Sequence, residues 1–146
     1  RDCLLSRGLG DVYKRQGHLI GNHTYRHVDL SKISGREAEK EIKTTDEAIK
    51  KITGHETEFI RPPFGAMPEG EEDPDKIYVK WTVDSLDWVT KDTEKIVEKV
   101  TADTKEGDVI LMHDCYGESV EAALQIVDIM EKQGYEFVTA DELIIN

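Results

Sequence analysis

Apolar and polar positions follow a helical period most clearly over residues 34–54. Apolar or small side chains recur there at steps of four and three residues, at Ala38, Ile42, Thr45, Ile49 and Ile52. This spacing predicts an amphipathic helix with one buried face. Ser34 and Glu37 have the spacing of a capping box at its start, and Gly54 suits its C-terminal end.

The same criterion predicts two further helices, over residues 93–104 and 119–133. Before, between and after these helices lie short runs that predict strands, namely HLIG, EFI, KIYVKWTVD, GDVILMHD and YEFV. GDVILMHD is almost continuously apolar, as expected of a strand buried on both faces. A short helix is predicted to follow the last strand. Strands that alternate with helices indicate an α/β fold, arranged as a parallel sheet or barrel.

Residues 1–16 have no such pattern. They are basic in a chain whose net charge is −12, and the chain begins without Met. We therefore interpret residues 1–16 as a foreign tail, a tag remnant or an assembly artefact, and residues 17–146 as the folded part.

The net charge of −12 argues against two classes of partner. Nucleic acid and anionic membranes would be repelled, so neither is expected to bind. No apolar run approaches the ~20 residues that cross a bilayer, and we expect no transmembrane segment. RDCLLSRGLG lacks the continuous apolar segment of a secretory signal. A neutral ligand such as a glycan remains compatible with the charge.

Chemically active side chains follow the predicted strands. The set comprises His23 and His27 after HLIG, Arg61 after EFI, Asp84 and Asp87 after KIYVKWTV, and His113 and Asp114 after VILM. Active sites of parallel α/β folds form at the C-terminal ends of strands, because the loops converge there. We therefore expect these side chains to share one functional region.

His23 and His27 lie four residues apart. On a helical turn this spacing lets both imidazoles reach one ion. Zinc accepts neutral imidazole and needs further ligands, usually carboxylate. From spacing alone, however, two surface histidines are the more frequent arrangement.

The RPPFG and Asp–His motifs also allow two interpretations each. RPPFG can fix Arg61 to orient a carboxylate and a backbone N–H to stabilise an oxyanion, although a structural turn is the commoner use. An aspartate beside His113 suggests a general acid or base. Trp88 could be a platform for a sugar ring, although tryptophan in such a loop more often belongs to the core.

HTYRH, RPPFG, DSLDW and LMHD, in this order and at these spacings, resemble four of the five motifs of the polysaccharide deacetylases, also called carbohydrate esterase family four. The resemblance covers about residues 17–145. It implies an irregular (β/α) barrel and a metal-dependent hydrolase that removes N-acetyl groups from an N-acetylglucosamine-containing polysaccharide such as peptidoglycan or chitin. It also implies an extracellular or cell-surface location.

The resemblance assigns roles to the residues of HTYRH and RPPFG. His23 and His27 would be ligands of a divalent metal, usually zinc. Arg61 would orient the catalytic base. The backbone N–H of Phe64, which stands where the family often has tyrosine, would help to hold the oxyanion.

The resemblance also assigns roles to the residues of DSLDW and LMHD. Asp87 would pair with His113, and His113 would be the general acid that protonates the leaving amine. Trp88 and Leu111 would line the pocket for the acetyl methyl group of an N-acetylated glycan.

The first motif of the family, T-F-D-D, has no counterpart in the chain. Its two aspartates would be the catalytic base and the third metal ligand. We therefore expect a C-terminal part of the deacetylase domain that lacks the first strands of its barrel, has impaired activity and tends to self-associate. Two alternatives stay open, a non-catalytic glycan-binding module and an acetylxylan-type esterase or amidase of the same fold.

Overall fold

The computed structural model describes residues 17–67 and 73–145, so the predicted tail lies outside it. The chain divides into two compact units between Lys80 and Trp81. The first unit contains helix α1 (Gly35–Thr53) and strands β1 (Phe59–Ile60) and β2 (Ile77–Tyr78). The two strands pair in parallel, with Phe59 opposite Ile77 and Ile60 opposite Tyr78. Short 3₁₀ turns cover Leu30–Lys32 and Pro63–Gly65.

Helix α1 begins with the predicted capping box. The Ser34 hydroxyl accepts a hydrogen bond from the Glu37 N–H, and the Glu37 carboxylate accepts one from the Ser34 N–H. The helix ends at Gly54, whose φ of 81° is the left-handed conformation that glycine adopts without strain. Both predicted ends of this helix are therefore confirmed.

The buried face of α1 differs from the predicted one. Ala38 and Ile42 are buried as expected, whereas Thr45, Ile49 and Ile52 are only half-buried. Two acidic residues, Glu41 and Asp46, are buried instead. A buried carboxylate is tolerated only when hydrogen bonds or an ion pair satisfy it, so the helix must meet polar groups along this face.

In its described residues, 81–145, the second unit contains two parallel strands and four helices. The strands are β3 (Val83–Asp84) and β4 (Ile110–Leu111), and the helices are α2 (Asp87–Thr90), α3 (Thr93–Asp103), α4 (Gly117–Lys132) and α5 (Ala140–Ile145). Val83 lies opposite Ile110, and Asp84 lies opposite Leu111. The core of this unit is apolar and comes from α3 and α4, at Ile96, Val100, Ala122, Ile126 and Met130.

Several predicted strands are shorter than expected. HLIG forms no strand, and only the next residue, Asn22, makes a single parallel bridge to Ile60. KIYVKWTVD is two strands, β2 and β3, rather than one. GDVILMHD pairs only at Ile110 and Leu111, of which Leu111 alone is buried, and YEFV is not a strand. The prediction of a strand buried on both faces was therefore wrong for the described part of the chain.

In the residues that the structure describes, no helix combines the length and the apolar character needed to cross a membrane.

The core of the second unit generates a stability prediction on helix α4. Ile126 is 2% exposed, whereas Leu124, on the same helix, is 65% exposed. Ile126→Ala should lower the free energy of unfolding by about 2–5 kcal/mol, because it removes buried methyl groups and leaves a cavity. Leu124→Ala is the matched control and should change it by less than about 0.5 kcal/mol. Urea denaturation measures both, and equal losses would contradict this description of the core.

Candidate functional site

The two histidines of HTYRH lie side by side in the first unit. The ring centroids of His23 and His27 are 4.8 Å apart, with an interplanar angle of 73°. The segment between them is not helical, so the helical-turn explanation of their proximity was wrong. Thr24 and His27 have positive φ values of 61° and 56°, and these two left-handed residues fold the loop back on itself. The loop, rather than a helical period, brings the imidazoles together.

One ring nitrogen of His23 is oriented by the backbone. Its Nδ1 lies 2.5 Å from the carbonyl oxygen of Arg61. A carbonyl oxygen can only accept, so Nδ1 carries a proton, and in the neutral imidazole Nε2 then carries the lone pair. This is the tautomer that a metal-ligating histidine needs, and a backbone carbonyl is a common outer partner of such ligands.

His27 contacts the RPPFG turn. Its exposed ring packs edge to face on Phe64, with centroids 4.9 Å apart. Phe64 is 67% exposed and has a φ of 59°. The Gly65 N–H donates to the Pro62 carbonyl at 3.1 Å, and this bond closes the turn. The turn therefore presents the phenyl ring beside His27, while leaving most of that ring accessible.

Arg61 enters the same turn with a partly buried side chain. Burial lowers the pKa of its guanidinium from the ordinary value. Its Nε atom is buried and has no hydrogen-bond partner within residues 17–67 and 73–145. A buried guanidinium nitrogen without an acceptor is costly, so the position suits a residue that receives a carboxylate.

Asn22, which was not among the predicted site residues, organises this loop. Asn22 is 1% exposed, and its Nδ2 donates to the Ile42 carbonyl at 2.8 Å and to Asp46 Oδ1 at 2.9 Å. Its Oδ1 accepts the Thr24 N–H at 2.8 Å. A polar residue directly before HTYRH, and an aspartate four residues after Ile42 on the buried face of α1, were the signals in the sequence.

Glu41 is a second missed residue. Its carboxylate accepts the Arg26 backbone N–H at 2.8 Å and the Arg26 Nε at 2.6 Å. The Glu41 side chain is 6% exposed, whereas that of Arg26 is 67% exposed. Glu41 thus ties the middle of the histidine loop to helix α1 by satisfying a backbone donor.

The second unit carries the pair of Asp87 and His113. Asp87 is fully buried, and its Oδ1 lies 2.8 Å from His113 Nδ1, while its Oδ2 accepts the His113 backbone N–H at 2.7 Å. The His113 side chain is 38% exposed. Because an ionised carboxylate only accepts, Nδ1 donates to Asp87 and Nε2 is the nitrogen available for proton exchange.

Opposing effects set the pKa of Asp87. Burial raises this pKa. The hydrogen bonds from the ring and the backbone of His113 together lower it by more, so the net pKa lies below the ordinary value. Asp87 is therefore ionised at neutral pH.

The other candidates near this pair have different surroundings. Trp88 is 52% exposed and is not a core residue, and its backbone N–H donates to Asp87 Oδ1 at 3.0 Å. Leu111 is buried in β4. Asp84 accepts the Leu86 N–H at 2.9 Å and supports the positive φ of Leu86, which is a structural role.

The histidine pair fits two positions of a metal site. His23 and His27 offer two adjacent imidazoles, one of them held in a metal-binding tautomer. Within the described residues no group of three or more His, Cys, Asp and Glu side chains is placed to hold an ion. A third protein ligand would therefore have to come from outside the residues that the structure describes.

Comparison with known proteins gives matches along most of the chain. The family model for polysaccharide deacetylase matches residues 11–73. The peptidoglycan-N-acetylmuramic acid deacetylase PdaC of Bacillus subtilis is 35% identical over 130 residues, which are 88% of this chain and 28% of PdaC. A peptidoglycan-N-acetylglucosamine deacetylase of Bacillus cereus is 34% identical over 132 residues, 85% of this chain and 48% of the relative.

Solved structures match the fold as well. The T48 deacetylase, solved with substrate, superposes with a TM-score of 0.89 and 36% identity over 96% of this chain and 71% of its own. The solved structure of PdaC gives a TM-score of 0.88 and 32% identity over 93% of this chain and 68% of its own. The chain spans less than half of the length of those two curated relatives, and about two thirds of the solved domains. The fold is thus part of the fold of carbohydrate esterase family four, and the chain belongs to the polysaccharide deacetylase family.

Proposed function

We propose that the chain is the part of a metal-dependent deacetylase that supplies the histidine ligands and the proton donor for hydrolysis of N-acetyl groups on peptidoglycan amino sugars. The observation that carries the proposal is the two-point contact of the buried Asp87 carboxylate with His113. Such a contact fixes the tautomer and the direction of an imidazole that exchanges protons with a substrate.

The reaction needs water to attack an acetamide carbonyl and the carbon–nitrogen bond to break. His23 and His27 would hold a divalent metal, zinc by preference, which when bound supplies polarisation of the acetamide carbonyl. The backbone N–H of Phe64 would donate to the oxygen as negative charge develops on it.

The proton balance assigns His113 to the second half of the reaction. Protonated at Nε2, it would give that proton to the departing nitrogen, so that the amine leaves and acetate remains. Asp87 stabilises the positive charge on the ring before the transfer. Trp88 and Leu111 are proposed to line the space for the acetyl methyl group.

The base that takes the proton of water is proposed to be a carboxylate of a T-F-D-D segment, which these 146 residues do not contain. The buried Arg61 Nε, without an acceptor in the described residues, supports a role for Arg61 in orienting that carboxylate. The chain alone should then be inactive, since it lacks the T-F-D-D segment that is proposed to supply the base and the third metal ligand.

Peptidoglycan is proposed as the substrate, because PdaC and the Bacillus cereus relative are named for its two amino sugars. Both sugars carry an N-acetyl group, and that shared group is the reacting one in the proposal. An extracellular or cell-surface location follows from the same substrate. Chitin-like glycans and acetyl esters are the alternatives that a substrate panel would distinguish.

A non-catalytic glycan-binding role is the second candidate. The exposed indole of Trp88 favours it, because a solvent-facing aromatic ring can stack on a sugar. In this case the chain would bind glycan without hydrolysing it, with or without a T-F-D-D segment.

The catalytic proposal predicts that activity depends on a restored base and on His113. The 146-residue chain should not deacetylate an N-acetylglucosamine oligomer, and a chimera with a T-F-D-D segment before Gly17 should do so. In the chimera, His113→Ala should lower kcat by about 10²–10⁴, with a smaller change in KM, because the lost proton transfer belongs to the transition state. Acetate release measures the rates.

His55→Ala is the control, since His55 is exposed and belongs neither to the His23–His27 pair nor to the Asp87–His113 pair. It should leave kcat unchanged. An inactive chimera that still binds the oligomer would favour the glycan-binding role, and an unchanged kcat in His113→Ala would contradict the proton-donor assignment.

The lowered pKa of Asp87 predicts a pH-dependent contribution to stability. The folded-state pKa lies below the unfolded value of about 3.9, so the ionised carboxylate stabilises the fold above that pH. This contribution is lost as the pH falls through the folded-state value. Asp87→Asn should therefore be less stable than the parent at pH 7, and the difference should shrink below about pH 4.

Urea denaturation of both proteins at a series of pH values measures that difference. Other carboxylates titrate in both proteins and cancel in the comparison. A difference that stays constant down to the lowest pH at which both proteins fold would contradict the assignment.

A further inference from the structure

We propose that Asn22 and Asp46 are positioning residues for the loop that carries His23 and His27. The consequence for metal affinity rests on the metal role of that pair in the proposed function. The consequence for the conformational stability of the loop does not rest on a metal. The positioning role and the metal role can therefore be tested separately.

The side chain of Asn22 can adopt only one orientation. Its amide group has two N–H donors, and these go to the Ile42 carbonyl and to Asp46 Oδ1. Its oxygen accepts the Thr24 N–H at 2.8 Å. With the residue 1% exposed, any rotation would leave buried donors without acceptors.

The backbone of Asn22 is fixed as well. Its N–H donates to the Phe59 carbonyl at 2.7 Å, and its carbonyl accepts the Arg61 N–H at 2.9 Å. His23 follows directly in the chain and places Nδ1 against the Arg61 carbonyl. Asn22 therefore joins helix α1, the end of β1 and the first histidine.

Asp46 in turn fixes Asn22. Its Oδ1 accepts from Asn22 and from the Thr57 hydroxyl at 2.6 Å, and its Oδ2 pairs with Lys76 Nζ at 2.8 Å. Both side chains of that ion pair are 10% exposed, and the ammonium also donates to the Thr57 carbonyl. The carboxylate is thus satisfied by three side chains, and two of them, Thr57 and Lys76, hold it independently of the histidine loop.

Strain in the loop explains why such support is needed. Thr24 has a φ of 61°, a conformation that is costly for a β-branched residue. Its N–H is the group that Asn22 Oδ1 accepts. Since Thr24 lies between His23 and His27, the Asn22 contact stabilises the conformation that brings the two rings to 4.8 Å.

Variants at position 46 separate positioning from stability. Asp46→Ala removes the acceptor of Asn22, and we expect the dissociation constant for Zn²⁺ to rise by up to about 10–100-fold, the range seen when a group in direct contact with a metal ligand is lost. Asp46→Asn retains a side-chain oxygen for Asn22 but loses the charge that pairs with Lys76. It should lose stability and keep a Zn²⁺ affinity close to that of the parent.

Asn22→Asp tests the same contact from the other side. It keeps an oxygen for the Thr24 N–H but places an acceptor against Asp46 and the Ile42 carbonyl, so we expect it to weaken Zn²⁺ binding as Asp46→Ala does. Ile126→Ala, in the core of the second unit, is the control for lost stability and should leave Zn²⁺ affinity unchanged.

The experiment is calorimetry with Zn²⁺ on the 146-residue chain and its variants, together with amide hydrogen exchange without metal. In Asp46→Ala, the Thr24 amide should exchange faster relative to the amides of helix α1. If loop and helix amides accelerate by the same factor, or if Asp46→Asn and Asp46→Ala weaken Zn²⁺ binding equally, the positioning role is overturned.

A parent chain that does not bind Zn²⁺ would contradict the metal role in the proposed function instead. The exchange measurement would still decide the positioning role in that case, because it needs no metal.

Discussion

The contact between the Asn22 amide and the Asp46 carboxylate is the interaction on which the histidine loop depends. Both groups are buried, and a buried polar group destabilises a fold unless it is hydrogen-bonded. Here each is satisfied by the other and by neighbours on α1 and in the segments that precede β1 and β2. The requirement for full satisfaction restricts the backbone around Asn22 to one arrangement, and that arrangement places His23 and His27 side by side.

The second unit uses a buried carboxylate for a related purpose. Asp87 accepts hydrogen bonds from both the ring and the backbone of His113. The His113 ring therefore cannot rotate without losing its hydrogen bond to a buried charge. In each unit, a buried carboxylate therefore orients histidine side chains that are accessible to solvent. Asp87 contacts His113 directly, and Asp46 acts on His23 and His27 through Asn22. Such rigid support is what a catalytic or metal-binding side chain requires.

Much of this could be predicted from the sequence where local rules decide the structure. The ends of α1 follow from Ser34, Glu37 and Gly54, because capping depends on neighbouring residues only. Helices α3 and α4 follow from their apolar periods to within two residues of the predicted ends. The pairing of Asp87 with His113 was expected from the family motifs, and the structure places the two in contact.

The rest depends on contacts that no local pattern contains. HTYRH has the spacing of a helical turn, but the loop adopts left-handed residues because Asn22 and Glu41 hold its backbone from α1. Asp46 lies with Glu41 on the buried face of α1, although periodicity alone counts such a residue as solvent-exposed. Only its partners Thr57 and Lys76, which are distant in sequence, make burial favourable.

The central claim is that the loop presents His23 and His27 as ligands of one ion, and imidazole ¹H–¹⁵N spectra during a Zn²⁺ titration test it most directly. The account predicts that ring signals of both residues change together with a single dissociation constant. The Nδ1 of His23 should stay protonated, because it donates to the Arg61 carbonyl, and the exposed His55 should not respond in that range. Different dissociation constants for the two rings, or a response no stronger than that of His55, would contradict it.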